Sequence, residues 1–529
     1  MSFQTAWLDT MPRAQRAQVI IRVKPVFSED ASPVLAQSLG VRVFHVGLVP
    51  ANMPAPADPD DGYFTVDPTL LPDILEPVQL QEGADFTASA QSAHRGWNSL
   101  WWDLTAIPGL AALEVQGSVR NRRGHDLEDR EEVLWRERIS VRVRATKLSA
   151  PKLTNVQWFH ADSLANYYGV EPWTEPHWRV VQAHMESCAR MRVNTVLTPV
   201  WTPPLDIAPG VYRRNVQLLG IRQTSGGYEF DFSRLERWIA LLKSSGLTGV
   251  EIPHLFTQWG AEHTPRFWIE DEDGQLGPRF GWDTPATSGE YKEFLEELIP
   301  ALRGFLDAQV GEDHVWYHVS DEPEAEHVES YRAARGVVAH LLEGAQMIDA
   351  LGDPDFQPLV ETPVVATNMI PRFRAEGIEP EWVYYCVAQD EGVANRFLAQ
   401  RPNRHRMLGF QLFKAGAQGF LHWAFNFYNT QYSLRALDPY RDTSAGGGFI
   451  SGDTFVVYPA ADGTVRESIR HRMLRAAFDD LAVCQLAEKI AGRDAVLAII
   501  DPDGTLDYNA GWVSEEEVLR RRASLDDLL

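Results

Sequence analysis

Trp316-Tyr317-His318-Val319-Ser320-Asp321-Glu322-Pro323 is an apolar, β-prone run that ends in two adjacent carboxylates, after which an amphipathic helical pattern begins. A strand that leads through a short loop into a helix is the unit of a parallel β/α fold. Side chains alternate along a strand, but the last strand residue and the first loop residue escape that rule. Asp321 and Glu322 can therefore both reach one pocket at the C-terminal end of a barrel strand. Helix capping accounts for the same residues with Ser320 or Asp321 as N-cap, Pro323 in the first turn and Glu324 near the positive end of the dipole. What the remainder of the chain places around the pair decides between the two.

On both sides of this run, from Pro151 onward, short apolar segments alternate with helical ones. Strands are expected at 155–161, 194–200, 249–254, 315–320, 346–350, 359–364, 382–387 and 419–424, and eight such strands predict a (β/α)8 TIM-type barrel over 151–465. Amphipathic helices are predicted over 176–191, following Glu175-Pro176, and over 289–310. In the second, Tyr291, Phe294, Leu295, Leu298, Leu302 and Phe305 share one face, with Pro300 as a kink point. Residues 218–232, with Ser225-Gly226-Gly227 at the centre, read as a hairpin inserted after the second strand.

The first 150 residues read differently. Gln18–Val23, Val41–Val46, Ala112–Val119 and Ile139–Arg144 are strand-like and separated by Pro, Asp and Gly clusters such as Pro54-Ala55-Pro56-Ala57-Asp58-Pro59-Asp60-Asp61, which predicts an antiparallel β-sandwich. Residues 466–529 are expected to form a C-terminal extension that packs on the barrel. It would hold a helix, a strand-like Ala495-Val496-Leu497-Ala498-Ile499-Ile500 and a charged final helix over 514–529. The fold class is thus α/β multidomain: sandwich, barrel, short extension.

Bulk properties narrow the function. The 529 residues hold 49 Lys and Arg against 73 Asp and Glu, a formal charge of -24, which disfavours nucleic acid and anionic membrane while leaving a neutral substrate unopposed. No run approaches a transmembrane helix, and Met1-Ser2-Phe3-Gln4-Thr5-Ala6-Trp7 lacks the basic start of a secretion signal, so a soluble, cytoplasmic protein is expected. Cys188, Cys386 and Cys484 are far apart, and the 15 histidines show neither HExxH nor a paired-ligand spacing, so neither metal nor cofactor is expected. Ala445-Gly446-Gly447-Gly448 lacks the ending of a phosphate loop. Assembly into a homo-oligomer stays open.

The expected strand ends gather aromatic and hydrogen-bonding residues on one rim: Trp158-Phe159-His160-Ala161-Asp162, Pro199-Val200-Trp201, His254, Glu361-Thr362, Tyr384-Tyr385-Cys386 and His422-Trp423-Ala424-Phe425-Asn426-Phe427-Tyr428. Indole faces with His, Asp, Asn and Tyr around them suit a neutral carbohydrate.

In these segments the chain resembles the glycoside hydrolase family 123 β-N-acetylgalactosaminidases and the many bacterial proteins that share their catalytic domain. The matching residues are 158–165, Leu197-Thr198-Pro199-Val200-Trp201-Thr202-Pro203-Pro204-Leu205-Asp206, His254-Leu255-Phe256-Thr257-Gln258-Trp259-Gly260-Ala261, His318 to Pro323, 419–428 and Gly452-Asp453-Thr454-Phe455-Val456-Val457-Tyr458-Pro459. The resemblance implies a retaining exo-hydrolase of glycans or glycoconjugates with a terminal β-linked N-acetylhexosamine, N-acetylgalactosamine preferred. Its nucleophile would be the substrate's own acetamido group. The family's Asp-Glu pair falls on Asp321, which would orient the acetamido group, and on Glu322, the acid and base. Trp201 and Trp423 are then the choices for ring-stacking walls, Tyr385 or Tyr428 for a hydroxyl on the acetamido carbonyl, and Asp162, His254, His422 and Asn426 for the sugar hydroxyls. Two alternatives stand beside this: a retaining glycosidase with Glu322 as acid/base and Glu361 as nucleophile, and a carbohydrate-binding protein without turnover.

Overall fold

The computed structural model describes the chain except for residues 11–16, 30–38, 82, 84, 92–95 and 124–125, and the side chains of 122–129. The chain divides into two units, one of Met1–Leu48 and Pro72–Leu148 with Leu529, the other of Val49–Leu71 and Ser149–Leu528.

In the first unit, a four-stranded sheet runs in the order Ser2–Asp9, Gly96–Leu104, Val41–Ala51, Thr69–Val78. A five-stranded sheet runs Leu80–Gln81, Phe86–Gln91, Gln18–Phe27, Leu110–Arg123, Asp126–Ser140, with antiparallel neighbours throughout. Alternate residues Val19, Ile21 and Val23 of one sheet share a hydrophobic cluster with Val43, Leu100, Trp102 and Leu104 of the other. The strand expected over 139–144 instead ends at Ser140, and Val141 to Arg144 lie beyond it.

The second unit is built on a closed barrel of eight parallel strands: Thr154–Gln157, Thr195–Leu197, Gly249–Glu251, Val315–Tyr317, Gln346–Leu351, Thr362–Ala366, Trp382–Tyr384 and Gly419–His422. Each falls within or across one of the eight spans expected from the sequence. Helices Ala161–Tyr168, Glu175–Arg190, Ser233–Ser244, Gly289–Gln309, Val328–Val338, Ile370–Ala375 and Pro402–Ala415 lie in the connections. Between the fifth and sixth strands the chain departs from one helix per strand and forms only the 3-10 segment Pro354–Leu359. Pro354 and Pro358 remove two N–H donors there, so a regular helix has little to hold it. The expected hairpin is present as Gly220–Thr224 and Gly227–Asp231, extended into a second sheet by Arg266–Glu270 and Leu276–Phe280. Helix Gly289–Gln309 starts at the Ser288 cap and runs through Pro300, burying Tyr291, Phe294, Leu295, Leu298 and Leu302.

Helix Ile469–Ala491 packs so closely on Pro402–Ala415 that a Cβ at Gly409 would lie 2.0 Å from the Ala477 carbonyl oxygen. The run expected as a strand over 495–500 is helical, Arg493–Ile500, because its buried residues are Val496 and Ile500, four apart and therefore on one helical face. Helix Glu515–Asp526 docks on its own chain by burying Val518 and Leu525, with Arg522 paired to Asp480 at 2.7 Å. The Pro/Asp-rich loop, Val49–Leu71, belongs to this unit: Asp60 pairs with Arg404 at 3.1 Å, and the Tyr63 hydroxyl donates to the Asp390 carbonyl at 2.6 Å. Among the described residues no helix is long and apolar enough to cross a membrane.

Candidate active site

The fourth barrel strand stops at Tyr317, and the next four residues are fastened to both neighbours. Val319 N–H donates to Asp349, Ser320 Oγ to the Thr257 carbonyl at 2.8 Å, and Trp259 N–H to the Asp321 carbonyl at 3.0 Å. The helix that follows begins later than the sequence suggested. Its first turn is the 3-10 segment Ala325–His327, capped by Glu324 in a reciprocal arrangement with His327, and Val328–Val338 continues it. Neither Ser320 nor Asp321 is a cap, so the acid pair lies in the loop, at the barrel mouth.

Both carboxylates face a pocket of about 170 Å³ that opens at the barrel mouth. Its wall is Trp158, Leu205, Asp206, Gln258, Trp259, Ala350, Tyr384, Cys386, Leu421, Trp423, Gln431, Tyr432 and Phe449 among others. Trp158, Ala350, Tyr384, Cys386 and Leu421 belong to the cluster that fills the barrel, and Trp423 packs against it. The pocket floor is therefore the top layer of that filling. Asp206, Trp259, Glu322 and Tyr432 all have positive φ, 44°, 57°, 42° and 60°, a region costly for residues with a Cβ and typical of functional sites.

Tyr384 hydroxyl donates to Glu322 Oε1 at 2.6 Å, and the Cys386 thiol lies 3.7 Å from the same oxygen. Burial raises the pKa of Glu322 against the pull of these two donors, and burial together with the Glu322 charge raises that of Asp321. Two buried neighbouring carboxylates thus hold a proton above the ordinary carboxylate range. Burial also pushes Asp206 up to about 6, opposed by the Tyr432 N–H that its Oδ2 accepts, and pushes Asp453 up to about 7, opposed by Arg396. Asp453 in turn accepts the Trp423 indole N–H at 2.9 Å and so fixes that ring.

Beneath the pair, His318 is clamped between Glu251 on Nε2 and Asp349 on Nδ1, the latter at 3.1 Å. Burial opposes its charge, but Glu251 and Asp349 win and raise it to about 10, so it is an imidazolium. Asp349 also receives the Tyr331 hydroxyl, and Glu251 the Trp158 indole N–H at 2.8 Å. His254, His318 and Asp349 place ligand atoms within 4.8 Å of one another. A His318 that is protonated and bonded through both nitrogens has no lone pair to give a cation.

Of the residues expected in the site, Asp321, Glu322 and Trp423 line the pocket, and seven others stand behind it. Trp201 is wholly buried, donating to the His254 carbonyl at 3.2 Å, and the His254 ring lies 4.3 Å from that of His318, tilted by 36°. Tyr385 lies against Phe420 and His422, and His422 Nε2 is 3.6 Å from Asp453. Asn426 brackets the His160 backbone from both sides, and Tyr428 donates to the Val457 carbonyl at 2.9 Å. Asp162 is held by Arg213. Strand alternation explains the two nearest misses: Tyr384 and Trp423 point inward, so Tyr385 and His422 point outward. Glu361 precedes its strand, Thr362–Ala366, and so sits at the opposite barrel end, exposed and paired with Arg335. It cannot be the nucleophile. Tyr384, Asp206, Gln258 and Tyr432 were not singled out; the inward parity of Trp382 and Tyr384 is the signal that would have found the first.

The model of the glycoside hydrolase 123 catalytic domain matches residues 158–487. No curated protein matches the chain. Among solved structures, a family 123 glycoside hydrolase from Clostridium perfringens, described for glycolipid glycan hydrolysis, aligns over 99% of this chain and 92% of its own with 14% identity and a TM-score of 0.69. The CBM22-1–GH10 modules of the endo-1,4-β-D-xylanase 10B of Clostridium thermocellum align over 90% and 86% with 9% identity and a TM-score of 0.32.

Proposed function

The chain belongs to glycoside hydrolase family 123, and from that premise we propose that it is a retaining exo-glycosidase releasing terminal β-linked N-acetylhexosamine, with N-acetylgalactosamine preferred, by substrate-assisted catalysis. The observation that carries this reading is the placement of Asp321 and Glu322, consecutive residues, on one wall of the same pocket. A protein nucleophile and its acid partner act from opposite sides of the bond about 5 Å apart, whereas an orienting carboxylate and a proton donor work side by side.

Asp321 receives no side-chain donor among the described residues, while Glu322 receives the Tyr384 hydroxyl and the Cys386 thiol. An acetamido N–H supplies the donor Asp321 lacks. With that bond made, Asp321 is the carboxylate and the shared proton moves to Glu322, facing the glycosidic oxygen. The acetamido carbonyl oxygen then attacks the anomeric carbon as Glu322 protonates the leaving oxygen. The ionised Asp321 stabilises the oxazolinium, and Glu322 deprotonates the water that opens it. Trp423, steadied by Asp453, offers an indole face to the sugar.

Asp206 also lines the pocket, which favours one competing reading: a two-carboxylate retaining enzyme with Asp206 as nucleophile. Aryl β-N-acetylgalactosaminide, the glucosaminide and the 2-hydroxy galactoside separate the two. Turnover of both acetamido sugars only, with strong inhibition by a thiazoline, is expected; comparable turnover of the 2-hydroxy sugar would reject the substrate-assisted mechanism.

A further inference from the structure

The loop after the second barrel strand has two faces. Leu205 and Asp206 face the catalytic pocket, while Thr202, Pro204, Ile207 and Arg213 face a separate small cavity of about 30 Å³. After the third strand Gln258 and Thr257 divide in the same way. Tyr212, Arg266, Trp268 and Trp282 form the rest of its wall, and among the described residues no carboxylate lines it.

The two guanidiniums are unequally satisfied. Arg213, 2% exposed, gives Nε and Nη2 to Asp162, but its buried Nη1 has no partner among the described residues. Arg266 lies over the Tyr212 ring, its buried Nε is likewise unpartnered, and it forms no ion pair among the described residues. Asp162 offsets Arg213, so the Arg266 charge is left over. Arg266 is half-buried with a buried Nε, so an oxyanion seated in the cavity meets one guanidinium that no carboxylate opposes among the described residues.

We propose that this cavity is an oxyanion subsite beside the catalytic pocket, in which Arg213 and Arg266 hold the sulfate or carboxylate of an acidic glycan. The unengaged fork of Arg266 fits a planar or tetrahedral oxyanion through two parallel N–H bonds, and Arg213, whose Nε and Nη2 are taken by Asp162 and His160, adds Nη1. That the anion is part of a glycan rests on the glycosidase reading; that the cavity binds an oxyanion does not.

Calorimetric titration of the full chain with inorganic sulfate, with acetate and with a sulfated N-acetylhexosamine disaccharide tests this. Saturable one-to-one binding is expected, weakened on the order of tenfold or more by Arg266→Gln and largely kept by Arg266→Lys, with unfolding midpoints confirming that both variants fold. Glu322→Gln should bind the anion as the parent does even if no hydrolysis is ever found, which separates this proposal from the enzymatic one. Binding of the disaccharide but not of free sulfate, dependent on Arg266, identifies the glycan as the source. No saturable binding by any probe, or binding indifferent to Arg266→Gln, would overturn the subsite.

Discussion

The Tyr384 hydroxyl, at the end of the seventh barrel strand, donates to Glu322 Oε1 at 2.6 Å across the barrel mouth. This bond favours the ionised carboxylate and therefore lowers the pKa that burial raises. Tyr384→Phe removes it, so Glu322 keeps its proton to higher pH. The alkaline limb of kcat/KM should move upward, with a fall in the plateau of about 10- to 100-fold, the worth of one charge-assisted bond. A limb that stays in place would detach Tyr384 from the acid.

Glu322→Gln is expected to cost on the order of 10² to 10⁴ in kcat on a poor leaving group and much less on a dinitrophenyl glycoside, whose departure needs no proton. Asp321→Asn should lose a similar amount on both, because orientation and charge stabilisation are required whatever leaves. Turnover of Asp321→Asn close to that of the parent chain would sink the orienting role.

His318 predicts how stability depends on pH. Its folded pKa, about 10, lies above the ~6.5 of an unfolded histidine, so its contribution is complete below the unfolded value and declines as pH rises toward 10. Unfolding midpoints should fall steadily between pH 7 and 10. His318→Gln leaves Glu251 and Asp349 buried without the cation, which should cost about 3–5 kcal/mol at neutral pH and flatten that alkaline decline.

Trp423→Ala should raise KM about tenfold with a smaller change in kcat, as expected for one lost stacking face with its buried area. Asp453→Asn retains an acceptor for the indole N–H and, with Asp453 held near 7, changes little charge; a KM within about threefold of the parent is expected. Asp453→Leu frees the ring and should resemble Trp423→Ala. Michaelis constants for the three proteins decide this.

The barrel was legible because its strands are short apolar runs that alternate with helical pattern everywhere but between the fifth and sixth, and all eight overlap the spans where that rhythm put them. Ala495 to Ile500 was not, since a short apolar run with no polar interruption carries neither the period of two nor that of 3.6 until its partners are known. In the site, Asp321 and Glu322 were visible as a pair at a strand end. Tyr385 was chosen over its inward neighbour Tyr384, and His422 alongside its inward neighbour Trp423, because sequence gives which residues end a strand but not the parity of its last residue. Arg213 and Arg266 escaped notice altogether: an isolated arginine carries no spacing, and only folding brings these two to one cavity.

The left-handed backbone of Asp206, Trp259, Glu322 and Tyr432 sets durability against turnover. Glycine at any of these positions relieves on the order of 1 kcal/mol of torsional strain and deletes the side chain that the pocket wall needs. Variants selected for heat resistance alone will therefore drift toward glycine here and arrive at sturdier proteins with an eroded mouth. Thermostabilisation has to be sought elsewhere, in the sheets and outer helices, where no residue is held open for a substrate.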